Sequence, residues 1–314
     1  MTLTQLSAFV LVARLGSVRA AADLLGVTEP AVSRALAALR QHLDDQLVVR
    51  EGNTMKLTEG GSRLYGIASQ MVALGAEAEV AVRTGKGAAA PLRLLVTSTI
   101  AEFVAAPLLD AFGRRWAGAF NPSSGVATAA EMRALLPNRL ADASLGPELT
   151  GDPALGLVSE PVLRYRIVVV RSPRLRPKGA PHRWQWLVDP SGADPESDTG
   201  RVLRAHGVPE ERVRVFPNQT AAWAAAADGA GVAPAIDSLV ASHLRRGELC
   251  PVDDLAPLIG SWFVTTLAAE RRSDAALRLR NFLGTPAAMQ LMCSPGTGVA
   301  PSRFRPPVYV TIWS

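Results

Sequence analysis

The chain has 314 residues, 48% of them hydrophobic and 19% charged, a balance that suits two globular domains with sizeable cores. Its net charge is +5 and its basic residues are almost all arginine, with lysine only at Lys56, Lys86 and Lys178; a mild positive balance is compatible with nucleic acid without demonstrating it. Cys250 and Cys293 form no CxxC pair, no uncharged apolar run reaches membrane-spanning length, and Met1–Leu15 lacks the plan of a secretory leader; these speak against a disulfide scaffold, a membrane protein and a secreted one, and a cytoplasmic protein is expected.

From the N-terminus, Thr4 to Leu15 reads as a helix, with Leu3, Leu6, Val10 and Ala13 on one face, Phe9 beside them, and Gly16-Ser17 as its stop. The stretch Val18–Ala37, VRAAADLLGVTEPAVSRALA, then reads as two helices around a glycine turn. Ala22 is small where steeply crossing helices must nearly touch. Gly26 suits a left-handed turn, and Val32 is a branched apolar residue that packs the second helix onto the first. Thr28 is placed to cap that second helix, and Pro30 suits its first turn, where a lost amide had no helical partner. The spacing fits a helix-turn-helix whose second helix enters a DNA major groove; an ordinary helical hairpin in a core has the same pattern. The second helix continues through Leu36 and Leu39 to about Leu43. Residues 1–60 hold six basic and six acidic side chains, so any DNA binding there must come from where charge is placed.

Gln46–Arg50 and Met55–Leu57 are short β-prone runs around Glu51-Gly52-Asn53, the pattern of a hairpin or wing. Arg50 and Lys56 flank its tip, where they fit phosphate or minor-groove contact and fit equally the charges of a solvated hairpin. Thr58 opens a further helix to about Arg83, with Leu64, Ile67, Met71, Leu74, Ala78 and Ala81 at spacings of three and four. That is a coiled-coil pattern, and it suits dimerisation. Thr84–Pro91 (TGKGAAAP) reads as a linker.

The ordered run LxxFVxVAxxGSxxxAAxxLxVTxPAVSRxxxxL from Leu6 to Leu39, followed by LVVREG and LTEGG, resembles the N-terminal part of LysR-type transcriptional regulators. The resemblance covers residues 1–85. It implies a protein that is α/β overall: a winged helix-turn-helix over residues 1–58, with the helix-turn-helix at 18–37, and a long linker and dimerisation helix over 59–84. A hinge at 85–91 and a two-lobed α/β effector domain over 92–292, resembling periplasmic binding proteins, would follow. It further implies double-stranded operator DNA as partner, a homodimer or homotetramer, and a small-molecule effector between the lobes, with no cofactor and no membrane partner. Glu29 departs from the family, which usually has glutamine at this start of the recognition helix. A carboxylate there accepts from cytosine but repels phosphate.

The rest of the chain alternates strand and helix, the signature of a mainly parallel sheet flanked by helices. Strands are expected at Leu92–Thr97, Ala141–Leu145, Tyr165–Val170, Arg212–Phe216, Val232–Pro234 and Ser261–Leu267. Helices are expected from Ser98 to about Arg115 and over Glu131–Pro137, Thr199–His206, Thr220–Asp228, Asp237–Arg246 and Ser273–Leu283. Gly118–Gly125 (GAFNPSSG) reads as irregular where the family has its second strand. The tail over 293–314, ending VYVTIWS, fits either a flexible end or an added strand.

For DNA, the candidates are Thr28, Glu29, Pro30, Ser33 and Arg34 at the exposed start of the recognition helix, with Arg50 and Lys56 on the wing. Arg34 can fork onto guanine O6 and N7. For the effector, the family's pocket carries over to Ser98 and Thr99 after the first strand, Gly146 after the Ala141–Leu145 strand, and Asn218 and Thr220 after the Arg212–Phe216 strand. Ser98-Thr99 before a helix offers hydroxyls and free helix amides that fit a carboxylate, and the same two residues are expected to cap that helix, which they could do while binding nothing. An enzyme is not expected. His42, His182, His206 and His243 are scattered, there is no HExxH, GxSxG or P-loop, Gly229-Ala230-Gly231 lacks a third glycine, and Cys250 has no local cation to activate it. The competing reading is a small-molecule-binding α/β protein whose N-terminal helices serve only oligomerisation.

Overall fold

A computed structural model of the chain describes residues 1–51, 54–85, 89–150, 155–294 and 308–309. Helix α1 (Leu3–Leu15) opens on a reciprocal cap, the Thr2 hydroxyl accepting from the Gln5 amide while the Gln5 side chain accepts from the Thr2 amide. Helices α2 (Val18–Leu25) and α3 (Glu29–Leu43) meet across Gly26, whose φ of 65° is the left-handed conformation that residues with a Cβ resist. Ala22 and Val32 are fully buried at this crossing, in one core with Leu6, Phe9, Leu36 and Leu39. Strands β1 (Val48–Glu51) and β2 (Thr54–Leu57) pair antiparallel as the expected wing, and its Gly52-Asn53 turn lies outside the described residues. Arg40 ties the wing to α3: its Nε donates to the Gln46 carbonyl and its Nη2 to the Val48 carbonyl, each at 2.7 Å.

Helix α4 (Glu59–Gly85) leaves the wing at Thr58, whose hydroxyl accepts from the Gly61 amide at 2.9 Å and donates to Asp45 at 2.7 Å. Gly61 lies so near the wing that a Cβ there would sit 2.0 Å from the Leu47 carbonyl oxygen. One face of α4 rests on α1. The expected linker is shorter than its composition suggested, because α4 runs to Gly85 and strand β3 (Ala90–Val96) already includes Ala90 and Pro91. Proline is tolerated there because it falls at the start of a strand.

The remaining elements follow as α5 (Ser98–Ile100), a π-helical turn at Ala101–Ala105, α6 (Ala106–Arg115), β4 (Phe120–Val126), α7 (Ala129–Leu135) and β5 (Ala143–Gly146). Next come the long β6 (Leu157–Arg171), then β7 (Trp186–Val188), α8 (Asp198–Ala205), β8 (Val213–Val215), α9 (Gln219–Ala227), β9 (Val232–Ile236) and α10 (Asp237–Arg245). The last are β10 (Cys250–Pro251), β11 (Leu258–Leu267), α11 (Asp274–Leu283), α12 (Pro286–Cys293) and β12 (Val308–Tyr309). Among the described residues these nine strands and β3 form one sheet of ten in the order β12-β4-β3-β5-β11-β6-β9-β7-β8, with β10 beside β6.

The sheet is parallel at its two ends, as the alternation implied, and antiparallel in its middle, where β6 and β11 pair along most of their length. These two strands run from a first lobe (β12-β4-β3-β5) into a second (β9-β7-β8). Their register slips between Trp262 and Phe263, a bulge at the junction. The Gly118–Gly125 stretch, read as irregular, is strand β4 from Phe120 onward. Its ladder comes from β3, which it pairs from Ala90↔Phe120 to Val96↔Val126, so tertiary context overrides a poor strand composition. In the tail, Val308–Tyr309 adds a parallel strand to β4 at Gly125 and Val126. Among the described residues no helix is long and apolar enough to cross a membrane.

Candidate DNA-reading helix and inter-lobe cleft

The start of α3 is presented outward. Thr28, Glu29, Pro30, Ser33 and Arg34 are exposed, while Val32 and Leu36 point into the core. Thr28 occupies the N-cap position, yet its hydroxyl makes no capping hydrogen bond and remains available to a partner. Arg34 Nε donates to the Pro30 carbonyl at 3.3 Å, one turn back, which lays the guanidinium along the exposed N-terminal turns. Arg50 and Lys56 are exposed on facing strands of the wing, opposite Met55 and Val49 respectively. The recognition-helix candidates therefore share one surface, and the two cations of the wing lie on a separate element beside it.

A cavity of ≈ 350 Å³ opens where the two lobes face each other. Its lining comes from the carboxyl ends of parallel strands, Thr97, Ser98 and Thr99 after β3 and Pro147 and Glu148 after β5. Tyr165, Ser261, Trp262 and Phe263 of the crossing strands line it, and the second lobe adds Ser191, Glu196 and Asp198. Ser98 is engaged across the cleft: its hydroxyl donates to Asp189 Oδ2 at 2.8 Å, and Ser191 donates to the other oxygen at 2.6 Å. The Tyr165 hydroxyl donates to Asp198. Burial raises the pKa of both groups, and for Asp198 the tyrosine's hydrogen bond and Arg201 pull the other way.

The sequence-derived effector residues divide. Ser98 and Thr99 line the cavity, and they do not cap the helix as expected: Thr97 holds the N-cap position of α5 without a side-chain cap bond, and the Ser98 hydroxyl is taken by Asp189. Gly146 ends β5 one residue short of the lining Pro147, and a Cβ on it would lie 3.1 Å from Thr97 Cγ2, so close packing accounts for the glycine. Asn218 and Thr220 lie elsewhere, at the start of α9. Asn218 caps that helix through the Ala221 amide at 2.8 Å. The free amides of Gln219 and Thr220 each donate at 3.0 Å to Glu102 of the π-helical turn, and the Thr220 hydroxyl adds a bond of 2.5 Å. A carboxylate from the opposite lobe thus already fills the anion position at this helix start.

Residues 3–62 match the family described as bacterial regulatory helix-turn-helix protein, lysR family, and residues 85–287 match the LysR substrate binding domain. The chain belongs to the LysR family of transcriptional regulators. The uncharacterized HTH-type transcriptional regulator Rv0377 of Mycobacterium tuberculosis is 34% identical to this regulator over 100% of both chains. Among solved structures, ArgP from M. tuberculosis is 23% identical, with a TM-score of 0.56 over 90% of this chain and 96% of its own. LysG from Corynebacterium glutamicum, solved with bound effector Arg, is 22% identical, with a TM-score of 0.53 over 92% of this chain and 99% of its own. These two likenesses are of fold.

Several polar groups in the regulator's cleft and between its lobes have no signal in the sequence. Asp189 follows a strand of only three residues, β7, too short to register as a period. Tyr165 sits in an apolar strand and looks like core until its hydroxyl is seen on Asp198. Glu102 and the Arg133–Glu196 ion pair, at 2.8 Å, join positions far apart in the chain, and no local pattern announces them.

Proposed function

We propose that this LysR regulator reads its operator with Thr28, Glu29, Pro30, Ser33 and Arg34 in the major groove, and with Arg50 and Lys56 on the flanking backbone or minor groove. The observation that carries this reading is the exposed, uncapped start of α3 on a buried helix-turn-helix core. Arg34 is the base-reading cation, and Glu29 biases the preference toward an exposed cytosine amino group. Ile67, Met71 and Leu74, exposed along α4, support a homodimer or higher homo-oligomer, with half-sites about one helical turn or a multiple apart. The effector is a small molecule held in the inter-lobe cleft against Ser98, Thr99 and the lining of Tyr165 and Trp262. The site of action is the cytoplasm, where operator DNA is. The domain limits that fit are a DNA-binding unit to about Thr58, the α4 connector to Gly85, and the two-lobed domain from Ala90.

The test is binding to DNA from beside the regulator's own gene, against scrambled DNA, across a salt series. Specific readout keeps its preference as salt rises, because the phosphate contribution shared by both DNAs fades. Arg34→Ala is expected to lose about 1–3 kcal/mol of discrimination between the two DNAs while the oligomer persists. Unchanged preference in that variant removes Arg34 from the reading surface. Ligand binding without any DNA preference, including none in a random-sequence selection, would favour the reading in which the N-terminal helices serve assembly alone.

A further inference from the structure

Helix α7 touches both the second lobe, at a residue that lines the cleft, and the DNA-binding unit. From its middle, Arg133 reaches to the second lobe, where Nη2 lies 2.8 Å from both carboxylate oxygens of the cleft-lining Glu196. Its C-terminal turn offers carbonyls at the negative end of the helix, and those of Arg133 and Ala134 accept from Arg14 Nη1 at 3.2 and 2.9 Å. Arg14 belongs to the last turn of α1. Its Nε donates to the Tyr65 hydroxyl of α4, and its guanidinium carbon lies 5.3 Å from that ring's centroid. Leu24 of α2 and Leu140 just beyond α7 complete the seam, each packing both on the N-terminal core and on the small core under α7.

We propose that Arg14 is the coupling residue through which the state of the cleft reaches the helix-turn-helix. The proposal rests on the cleft being the effector site. With Glu196 on Arg133, α7 is held between the lobes and presents its carbonyls to Arg14, which fixes α1 and α4 against the effector domain. A ligand that engages Glu196, or that sets the lobes at another separation, takes Arg133's partner away. Helix α7 is then free to shift by the small distance that breaks two hydrogen bonds, and the DNA-binding unit is released from its pose. A ligand acts this way only through unequal affinity for the held and released arrangements, and DNA that prefers one arrangement must change ligand affinity by the same factor.

The experiment is a double-mutant cycle on the full-length protein, with Glu196→Gln and Arg14→Gln made singly and together. Two quantities are read: affinity for the DNA beside the regulator's own gene, and hydrogen exchange at the amides of α1 and α7. With Arg14 present, Glu196→Gln is expected to change DNA affinity roughly 5-fold or more and to raise exchange in both helices. With Arg14→Gln, the same substitution is expected to change affinity by less than about 2-fold, the ordinary limit of additivity, and to leave α1 exchange unmoved. Equal effects in both backgrounds, or no effect in either, overturn the coupling. Should the protein show no preference for that DNA, exchange alone decides the relay, so its failure is separable from failure of the operator reading. A ligand screen by thermal shift tests the cleft independently. Tyr65→Phe, which deletes only the hydroxyl that steadies Arg14, replaces Arg14→Gln in the cycle if the latter does not fold.

Discussion

At the scale of single residues, the same side chain does different work according to what its head group meets. Arg14, Arg34 and Arg40 all sit on helices of the N-terminal unit. Arg40 is spent on the carbonyls of Gln46 and Val48, Arg14 on α7 and Tyr65, and Arg34 is left lying on the exposed face of α3. His206 shows how such a context becomes measurable. It stacks on buried Trp186 with ring centroids 5.6 Å apart, and burial lowers its pKa from 6.5. Below pH 6.5 the unfolded chain takes up a proton that the folded chain resists. Stability from this site is therefore whole above pH 6.5 and falls as pH drops toward the folded value. Thermal midpoints of the wild type and His206→Gln, compared from about pH 8 to pH 5.5, should show the wild type losing ground relative to the variant on the acid side. A difference between the two that does not change with pH would remove the histidine from that account. Residue types and spacing made the exposed start of α3 legible, since a helix period separates Ser33 and Arg34 from Val32 and Leu36. They did not separate Arg34 from Arg14 or Arg40, because a guanidinium's partner lies across a tertiary contact.

At the scale of elements, the wing and α4 form one joint, and its geometry depends on absent atoms as much as present ones. The residues Leu57-Thr58-Glu59-Gly60-Gly61 were legible as strand end, cap and helix start. The need for the second glycine was not, because it arises where the helix crosses the Leu47 backbone. Leu47 itself has a φ of 58°, and the Asp45 carboxylate holds this corner, accepting from the Leu47 amide at 2.6 Å and from the Thr58 hydroxyl at 2.7 Å. Those two bonds also lower the Asp45 pKa, the backbone one most. Gly61→Ala would place a Cβ 2.0 Å from the Leu47 oxygen, a clash with backbone that no rotamer relieves. The expected cost is about 1–3 kcal/mol, read as a lower thermal midpoint, together with a shift of the wing seen in hydrogen exchange of Val48 and Val49. Gly66→Ala on the same helix is the control, since a Cβ there meets nothing within 4 Å and should stabilise slightly or do nothing. Equal behaviour of the two variants would mean that the joint is looser than its contacts imply. Strands β4 and β7 teach the same lesson from the other side: one has an unpromising composition and the other is three residues long, and both are strands because a neighbour offers a ladder.

At the scale of the molecule, the unanswered surface is the outer face of α4. Ile67, Met71 and Leu74 follow one another at helical spacings of four and three, and Ile67 and Leu74 are 61% and 62% exposed although α1 covers the opposite side of the helix. Val82, further along, is 60% exposed. A stripe of large apolar side chains left in water beside a DNA-binding unit is costly unless a second copy covers it. A two-fold pairing of α4 would bring two helix-turn-helix units into the fixed relation that a pseudo-palindromic operator requires. The heptad spacing was legible in the sequence, but its exposure was not, since a helix buried against its own domain has the same period. Ile67→Glu with Leu74→Glu places two carboxylates in that stripe without touching the core beneath α1. The double variant should keep its far-ultraviolet spectrum and thermal midpoint, and should sediment at lower mass than the wild type. Its operator affinity should fall by roughly 10²–10⁴-fold, because each half-site then loses the raised local concentration that linkage provides, while binding to an isolated half-site should change little. An unchanged mass would leave the stripe without a role in assembly. A lower mass with full operator affinity would mean that one unit suffices for recognition, without any two-fold pairing of α4.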